Sequence, residues 1–315
     1  MAKTQKAQKQ NRVQTGSLGA MIKRDYQLYL MLLPVVIYYI IFMYKPMYGL
    51  QIAFKDYSLF KGILDSPWCG WKHFINFFNG PFFARTLKNT LWLSILGLIV
   101  NMPAQIILAL LFNELRQGVF KSTIQTISYL PHFISTVVIA GIVTNFLAPS
   151  NGIINIIIEK LGGEKIYFLV KPQYFRAIFT LMNVWAGTGF GTIVYMAALS
   201  GIDSCLYEAS IIDGAGKLSQ IIHVTLPGIL PTIITMLIMN VGSLLNVSYE
   251  AIILLYQPAT YETSDVISTY VYRSGLVEGH YDFATAVGFF NSFVALLLTT
   301  VANIISRKTA EISLW

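Results

Sequence analysis

Charge is what this 315-residue chain has least of: Asp, Glu, Lys and Arg together make up 12% of it, about half the ~25% of an ordinary soluble domain. Too little is present to coat a water-facing surface, which excludes a soluble enzyme and a disordered chain. Cysteine is nearly missing as well. Cys69 and Cys205 stand far apart, without C-x-x-C or metal-ligand spacing, so neither a disulfide-framed secreted domain nor a zinc framework can be read from them. His132 has no other His or Asp beside it, which argues against a metal, and no cluster of acids, histidines or a nucleophile with its base lies within the apolar runs, as an intramembrane enzyme would need. The ten-residue alternating strands of a membrane barrel are absent too.

What remains is apolar: 55% of the residues are hydrophobic. Six charge-free stretches have 19 residues or more: 26 to 44, 89 to 113, 122 to 158, 177 to 202, 218 to 249 and 283 to 306. A bilayer crossing needs about 20 apolar residues, and lipid offers backbone groups no partner, so the crossings are helical. The pattern predicts an all-α polytopic membrane bundle of six transmembrane helices over 26–308, with a basic cytoplasmic segment at 1–25 and a short cytoplasmic tail at 309–315. The net charge of +7 is no sign of a nucleic-acid partner. Lys3, Lys6, Lys9, Arg12, Lys23 and Arg24 precede the first run, where the positive-inside bias holds the N-terminus in the cytoplasm. The polar lead is too long, and an A-x-A-type site too absent, for a cleaved signal peptide. Six crossings return the C-terminus inside, which leaves 45 to 88, 159 to 176 and 250 to 282 outside. Lys and Arg then divide evenly between the faces, so weight falls on the N-terminal cluster, the Arg116/Lys121 turn and the Arg307/Lys308 end.

Pro34, Pro103, Pro131, Gly187, Gly189 and Gly191 interrupt the runs, as kinks and close helix packing do in membrane bundles. The stretches Pro67-Trp68-Cys69-Gly70-Trp71 and Phe77-Phe78-Asn79-Gly80-Pro81-Phe82-Phe83 are expected to mark an interfacial aromatic belt.

One segment departs from a plain connector. Residues 203–227 carry Leu206, Ala209 and Ile212, then Leu218, Ile221 and Ile222, at helical spacing on either side of Gly214 and Gly216. This suits two short helices joined by a tight turn at the cytoplasmic face, with Pro227 limiting the backbone before the fifth span. The stretch resembles the EAA loop of binding-protein-dependent ABC importer permeases, whose pattern is E-A-A, three residues, G, nine residues, then I-x-L-P. Here it runs Glu208-Ala209-Ser210, Gly214 and, after nine residues, Val224-Thr225-Leu226-Pro227. Ser210 and Val224 depart from the pattern, both as small or apolar replacements. Asp213-Gly214-Ala215 and Asn183-Val184-Trp185-Ala186-Gly187 resemble the carbohydrate-uptake class. Tyr129-Leu130-Pro131-His132-Phe133-Ile134-Ser135, Pro46-Met47-Tyr48-Gly49 and Tyr261-Glu262-Thr263-Ser264-Asp265-Val266 look like the subfamily of LplB-type permeases, associated with oligosaccharide or polysaccharide-fragment uptake.

The resemblance implies a type I importer-like fold in the bacterial cytoplasmic membrane, in the company of a second homologous permease, two ATPase subunits and an extracellular solute-binding protein that delivers an oligosaccharide. It also implies a non-catalytic chain with no cofactor of its own, ATP and Mg belonging to the partner ATPases. The run Asp213-Gly214-Ala215-Gly216-Lys217-Leu218 supports that reading: a phosphate loop would need Gly at 211 and Ser or Thr at 218, where Ile211 and Leu218 stand. Glu208, Ala209, Ser210, Asp213, Gly214, Ala215, Leu226 and Pro227 are then the residues expected to couple the chain to an ATPase. For the substrate path, Asn183, Gly187 and Phe190 recur at i, i+4, i+7, and Ser243, Asn246 and Glu250 are expected to do likewise on a fifth helix beside Tyr249. His132 joins them as a candidate contact. The rival function is a proton-coupled secondary carrier with Glu250 as the titrating group, since a carboxylate near mid-bilayer is costly unless it is paired or faces a cavity.

Overall fold

The computed structural model describes residues 24–310 and Ser313; Lys3, Lys6, Lys9, Arg12, Lys23 and residues 311, 312, 314 and 315 lie outside the described residues. The chain divides into a unit ending at Gln51 and a second beginning at Ile52. The first unit holds most of α1 (Tyr26–Phe54), 29 residues long and apolar enough to cross a membrane. Pro34 lies within its first turns and a π-helical turn follows at Ile40–Tyr44.

The second unit holds four further helices of spanning length: α3 (Phe83–Glu114), α7 (Pro172–Ser200), α9 (Lys217–Gly242) and α12 (Tyr281–Ala310). Between them lie α2 (Lys72–Phe78), α4 (Val119–Phe133), α5 (Thr136–Phe146), α6 (Ile153–Lys160), α8 (Ser204–Ile212), α10 (Tyr249–Leu255) and α11 (Ile267–Tyr272). Among the described residues the only pairing of extended backbone is a single bridge between Lys55 and Trp68.

The charge-free run 122 to 158, expected as one span, is a broken pair in which α4 and α5 meet at 100°. Pro131 sits in the last, 3-10 turn of α4, Ile134 adopts an extended conformation, and the Ser135 hydroxyl accepts the Val138 N–H to start α5 afresh. The contacts of the neighbouring helices establish that this pair crosses. Arg176 near the start of α7 donates to Asn89 near the start of α3 at 3.1 Å, while Ala109 near the end of α3 clusters with Tyr195 and Leu199 near the end of α7. The two helices therefore run parallel over about 30 Å. The chain between them has to return through the same thickness, and α4–α5 is the apolar segment available. The expected six crossings are thus five long helices and one bent pair. Ile229 of α9 belongs to the Ala109 cluster and Ser94 of α3 donates to the Leu244 carbonyl beyond the end of α9, so α9 runs opposite to α3. Asn291 reaches Asn246 and Gly242 abuts Thr299, so α12 runs opposite to α9. The Arg307/Lys308 end therefore shares a face with α8.

The glycines of α7 differ in purpose. A Cβ on Gly189 would strike the backbone of Ser128 on α4, and one on Gly191 the side chain of Gln105 on α3, whereas Gly187 faces open space. Close approach at small residues replaces the hydrophobic drive that lipid cannot give. The aromatic stretches are only partly a belt. Trp68 and Trp71 are exposed, but Phe74 and Phe77 are buried, and Phe77 packs against Phe78, Phe83, Tyr270, Phe283 and Phe290. That aromatic core fixes α2 to α12.

A polar hub holds the end opposite α8. Asp265 is fully buried; Arg85 and Arg273 donate to its Oδ2 at 2.9 Å each, Thr269 to its Oδ1 at 2.9 Å, and Asn89 donates to the carbonyls of Glu262 and Asp265. Breaking a buried pair by removing one partner typically costs about 3–5 kcal/mol. Asp265→Ala is therefore expected to lower the melting temperature of the purified chain in detergent sharply; an unchanged melting temperature would show that the hub is not what anchors 262–273.

Candidate functional site

Sequence reasoning expects α9 to continue through residue 249. It does not. The helix ends at Gly242 with Ser243 as its cap, residues 246–248 are irregular, and Ser248 caps α10, accepting the Ala251 N–H. Ser243, Asn246 and Glu250 thus share no helical stripe. The break lies beside the middle of α3, where Ser94 satisfies the Leu244 carbonyl. Non-helical backbone at bilayer depth is tolerated where it is packed in protein or lines a wet cavity, and here it does both.

The cavity at the break has a volume of about 370 Å³. Asn183 and Gly187 of α7 line it together with Ser243 and Asn246, so those four expectations converge. Ser94, Asn101, Gln105, Thr180, Asn240 and Ser248 add amides and hydroxyls, Leu93, Leu98, Met102, Phe179, Leu244 and Val247 supply the apolar part of the wall, and no charged side chain lines it. Asn183 donates to the Phe179 carbonyl at 2.8 Å. The Asn101 Oδ1 and Thr180 Oγ1 atoms are buried without a partner, which leaves acceptor capacity in the wall. A second hollow of about 540 Å³ has Tyr249, Ser268, Tyr272 and Asn291 among its lining residues. Tyr249 and Tyr272 stack with centroids 5.6 Å apart and planes at 23°. The Asn291 amide, donating to Asn246 Oδ1 at 3.0 Å, joins the two hollows.

Three expected path residues fall elsewhere. Phe190 and His132 stack face to face, centroids 4.0 Å apart and planes at 5°, at the α4–α5 bend and away from both hollows. Glu250 is exposed in the first turn of α10, where a carboxylate suits the helix dipole, and it lines neither hollow.

On the other face, α8 begins at Asp203, whose carboxylate accepts the Cys205 N–H at 2.9 Å; that bond holds the carboxyl below its ordinary pKa range. Its end is a Schellman turn: the Gly214 N–H bonds the Ile211 carbonyl and the Ala215 N–H the Ser210 carbonyl, with Gly214 at φ +77°. Asp213 is the cap and Ala215 closes the turn, which gives Asp213-Gly214-Ala215 a geometric meaning. The expected second short helix is instead the start of α9, continuous through a π turn at Ile221–Thr225. The wider turn comes just before Pro227, whose missing N–H and ring disfavour a regular α turn there.

The coupling candidates separate into two groups. Glu208, Ala209, Asp213 and Gly214 are exposed, Ser210 and Ala215 half-buried, while Leu226 packs into the Ala109–Tyr195–Leu199–Ile229 cluster and Pro227 is exposed on the first turn after the π segment. Around Glu208 stand Ile211 at 63%, Ile212 at 86% and Leu218 at 71% exposure. That is an apolar tip on a turn between spans, which water disfavours unless something covers it. The tip is tied down behind: the Tyr207 hydroxyl meets Thr225 Oγ1 at 3.0 Å, and Lys217 pairs with Glu114 of α3 at 3.0 Å.

Residues 94–309 match the family described as binding-protein-dependent transport system inner membrane component. The chain is 44% identical to Protein LplB of Bacillus subtilis (strain 168), over 92% of its own length and 91% of that protein. It is also 44% identical to the polygalacturonan/rhamnogalacturonan transport system permease protein YteP of the same organism, over 92% and 90%. Among solved structures it resembles a chain of a bacterial ABC transporter involved in the import of the acidic polysaccharide alginate, with a TM-score of 0.86 and 48% identity over 93% of this chain and 99% of that one. A chain of the bacterial alginate ABC transporter in complex with alginate pentasaccharide-bound periplasmic protein gives 0.87 and 47%, over 94% and 99%.

Placing a branched side chain at Gly214 would force a left-handed conformation costing about 1–2 kcal/mol. Gly214→Val is expected to weaken hydrogen-exchange protection of the Ala215 amide while leaving the α3–α7 core intact; unaltered protection would remove the case for Gly214 as the residue that shapes the turn.

Proposed function

The chain belongs to the binding-protein-dependent transport system inner membrane component family, the non-catalytic permease subunits of ABC importers, and from that premise we propose that it forms one half of a path for saccharide fragments. The observation that carries the substrate class is the cavity at the α9 break, whose wall sets amides and hydroxyls among apolar side chains such as Leu93, Met102 and Phe179 and holds no charged group. Sugars present many hydroxyls, each able to donate and accept, and such a wall exchanges hydrogen bonds with them without demanding an ionised partner. The stacked Tyr249 and Tyr272 rings beside it offer a flat apolar face for a pyranose ring. Two of the relatives named above, a polygalacturonan/rhamnogalacturonan transport system permease and a chain of an alginate importer, support a saccharide.

The second permease supplies the other wall, an extracellular binding protein delivers the saccharide, and two ATPase subunits burn the ATP; this chain binds neither nucleotide nor Mg. The exposed tip around Glu208 enters a groove on an ATPase, Ile211, Ile212 and Leu218 filling it as amphipathic helices fill apolar grooves, while Glu208 pairs with a cation. The face bearing α8 is cytoplasmic, in keeping with Arg116, Lys121, Lys217, Arg307 and Lys308 on that side. Glu250 lies outside both hollows, so the proton-coupled alternative has no titrating group in the path.

Glu208→Lys is expected to leave the assembled complex intact on size-exclusion chromatography yet abolish ATP-driven uptake in proteoliposomes, and normal uptake would count against the docking role. Asn183→Leu and Asn246→Leu should each raise the half-saturating saccharide concentration by about three- to tenfold, the worth of one hydrogen bond. Unchanged saturation in both would place the saccharide elsewhere.

A further inference from the structure

The first turns of α3 carry two adjoining hollows that the transport path does not use. One, of about 430 Å³, is lined by Arg85, Lys88, Arg176 and Glu262 among others. The second, of about 530 Å³, runs along the same helix over Leu87, Leu91, Trp92 and Ile95, and Ala84 and Lys88 belong to both. A polar cup thus opens directly into an apolar groove on a helix that crosses the bilayer.

The cup keeps positive charge to spare. Arg85, Lys88 and Arg176 face one exposed carboxylate, Glu262; Asp265 beneath is engaged by Arg273 as well as Arg85. The Nε atoms of Arg85 and Arg176 are both buried and lack an acceptor, and Lys88 bonds to nothing among the described residues. Lys88 Nζ and the second Nη group of each arginine, the first being spent on Asp265 or Asn89, are the donors that an anion with several oxygens would meet in the cup. Rings flank the site, Phe82 at 4.9 Å from the Arg85 guanidinium and Trp92 at 5.7 Å from that of Arg176, tryptophan being a residue type enriched at headgroup level.

We infer that this is a binding site for an anionic phospholipid of the leaflet facing away from α8. The phosphate sits among Arg85, Lys88 and Arg176, and one acyl chain lies along Leu87, Leu91, Trp92 and Ile95. A free phosphate or an acidic sugar would account for the cup but has no use for the groove, whereas a lipid fills both. Bound there, the headgroup satisfies the same two arginines that hold Asp265 and Asn89, and so braces the 262–273 segment that borders the Tyr272 hollow.

The test uses the complete transporter, purified with its partner subunits and reconstituted in nanodiscs of phosphatidylcholine with or without phosphatidylglycerol. After stepwise delipidation, native mass spectrometry is expected to find one phosphatidylglycerol retained per copy of this chain. Lys88→Gln with Arg176→Gln should lower that retention by about thirtyfold, the worth of two basic contacts at a membrane surface. Lys88→Gln alone, which disturbs no existing bond, should lower it by a smaller factor if the double variant fails to assemble. Neither inorganic phosphate nor a trigalacturonate should displace the lipid. Equal retention by wild-type and variant proteins would overturn the assignment, as would displacement by trigalacturonate, which would give the cup to an acidic saccharide, or by phosphate, which would leave the groove without a role.

Discussion

A peptide group in hydrocarbon has to find its hydrogen-bond partner within the protein or in trapped water, and the irregular parts of this chain are arranged around that demand. Where α9 stops at Gly242, the next carbonyls are not abandoned to lipid: Ser94 takes one from α3, and Ser268 donates to that of Val247 at 2.9 Å. The α4–α5 bend is handled likewise, with the Ser135 hydroxyl serving the new helix start. A cavity at bilayer depth is the by-product of a break supported in this way.

The same economy explains the hub at Asp265. A buried carboxylate is tolerable only when its oxygens are engaged, and two arginines and a threonine do this while Asn89 secures the backbone around it. Ile267 also donates its N–H to Thr90 at 3.0 Å. Segment 262–273, which follows α10 and carries Tyr272, is in effect hung from the start of α3 by these bonds, so the Tyr249–Tyr272 platform takes its position from charges that never touch it.

Much of this was legible beforehand, because the dominant signals are one-dimensional. The absence of charge over twenty residues reports a span whatever its neighbours do, and the spacing from Glu208 to Pro227 reports a turn whose glycine is fixed by φ. Asn183, Ser243 and Asn246 stand out as polar residues in apolar runs and Gly187 through its place in the Asn-x-Trp-x-Gly run, and the four meet in one cavity. Ser243 and Asn246 reach the cavity from a break and not from a helical stripe, since period alone does not reveal that α9 stops at Gly242; Asn246 and Ser248, two turn-forming residues ahead of Glu250, are the sign of it in the sequence. Phe190 and His132 stack on each other and line neither hollow, an arrangement that sequence does not distinguish from rings awaiting a ligand. Asp265, Arg85 and Arg273 were missed as a unit, being separated by 180 and 8 residues. An acid and an arginine left near apolar ends were the only hint.

The continuity of α9 has a mechanical meaning. A rod of 26 residues, about 39 Å long, is bonded to α8 within its first third through Tyr207 and Thr225 and ends at the cavity wall. A sideways push of about 4 Å on the α8 end would swing it by about 6°, less whatever bend Pro231, inside the helix, absorbs. The π turn at Ile221–Thr225 sits where such a lever would be gripped, and its looser winding makes it the place where torque turns into tilt.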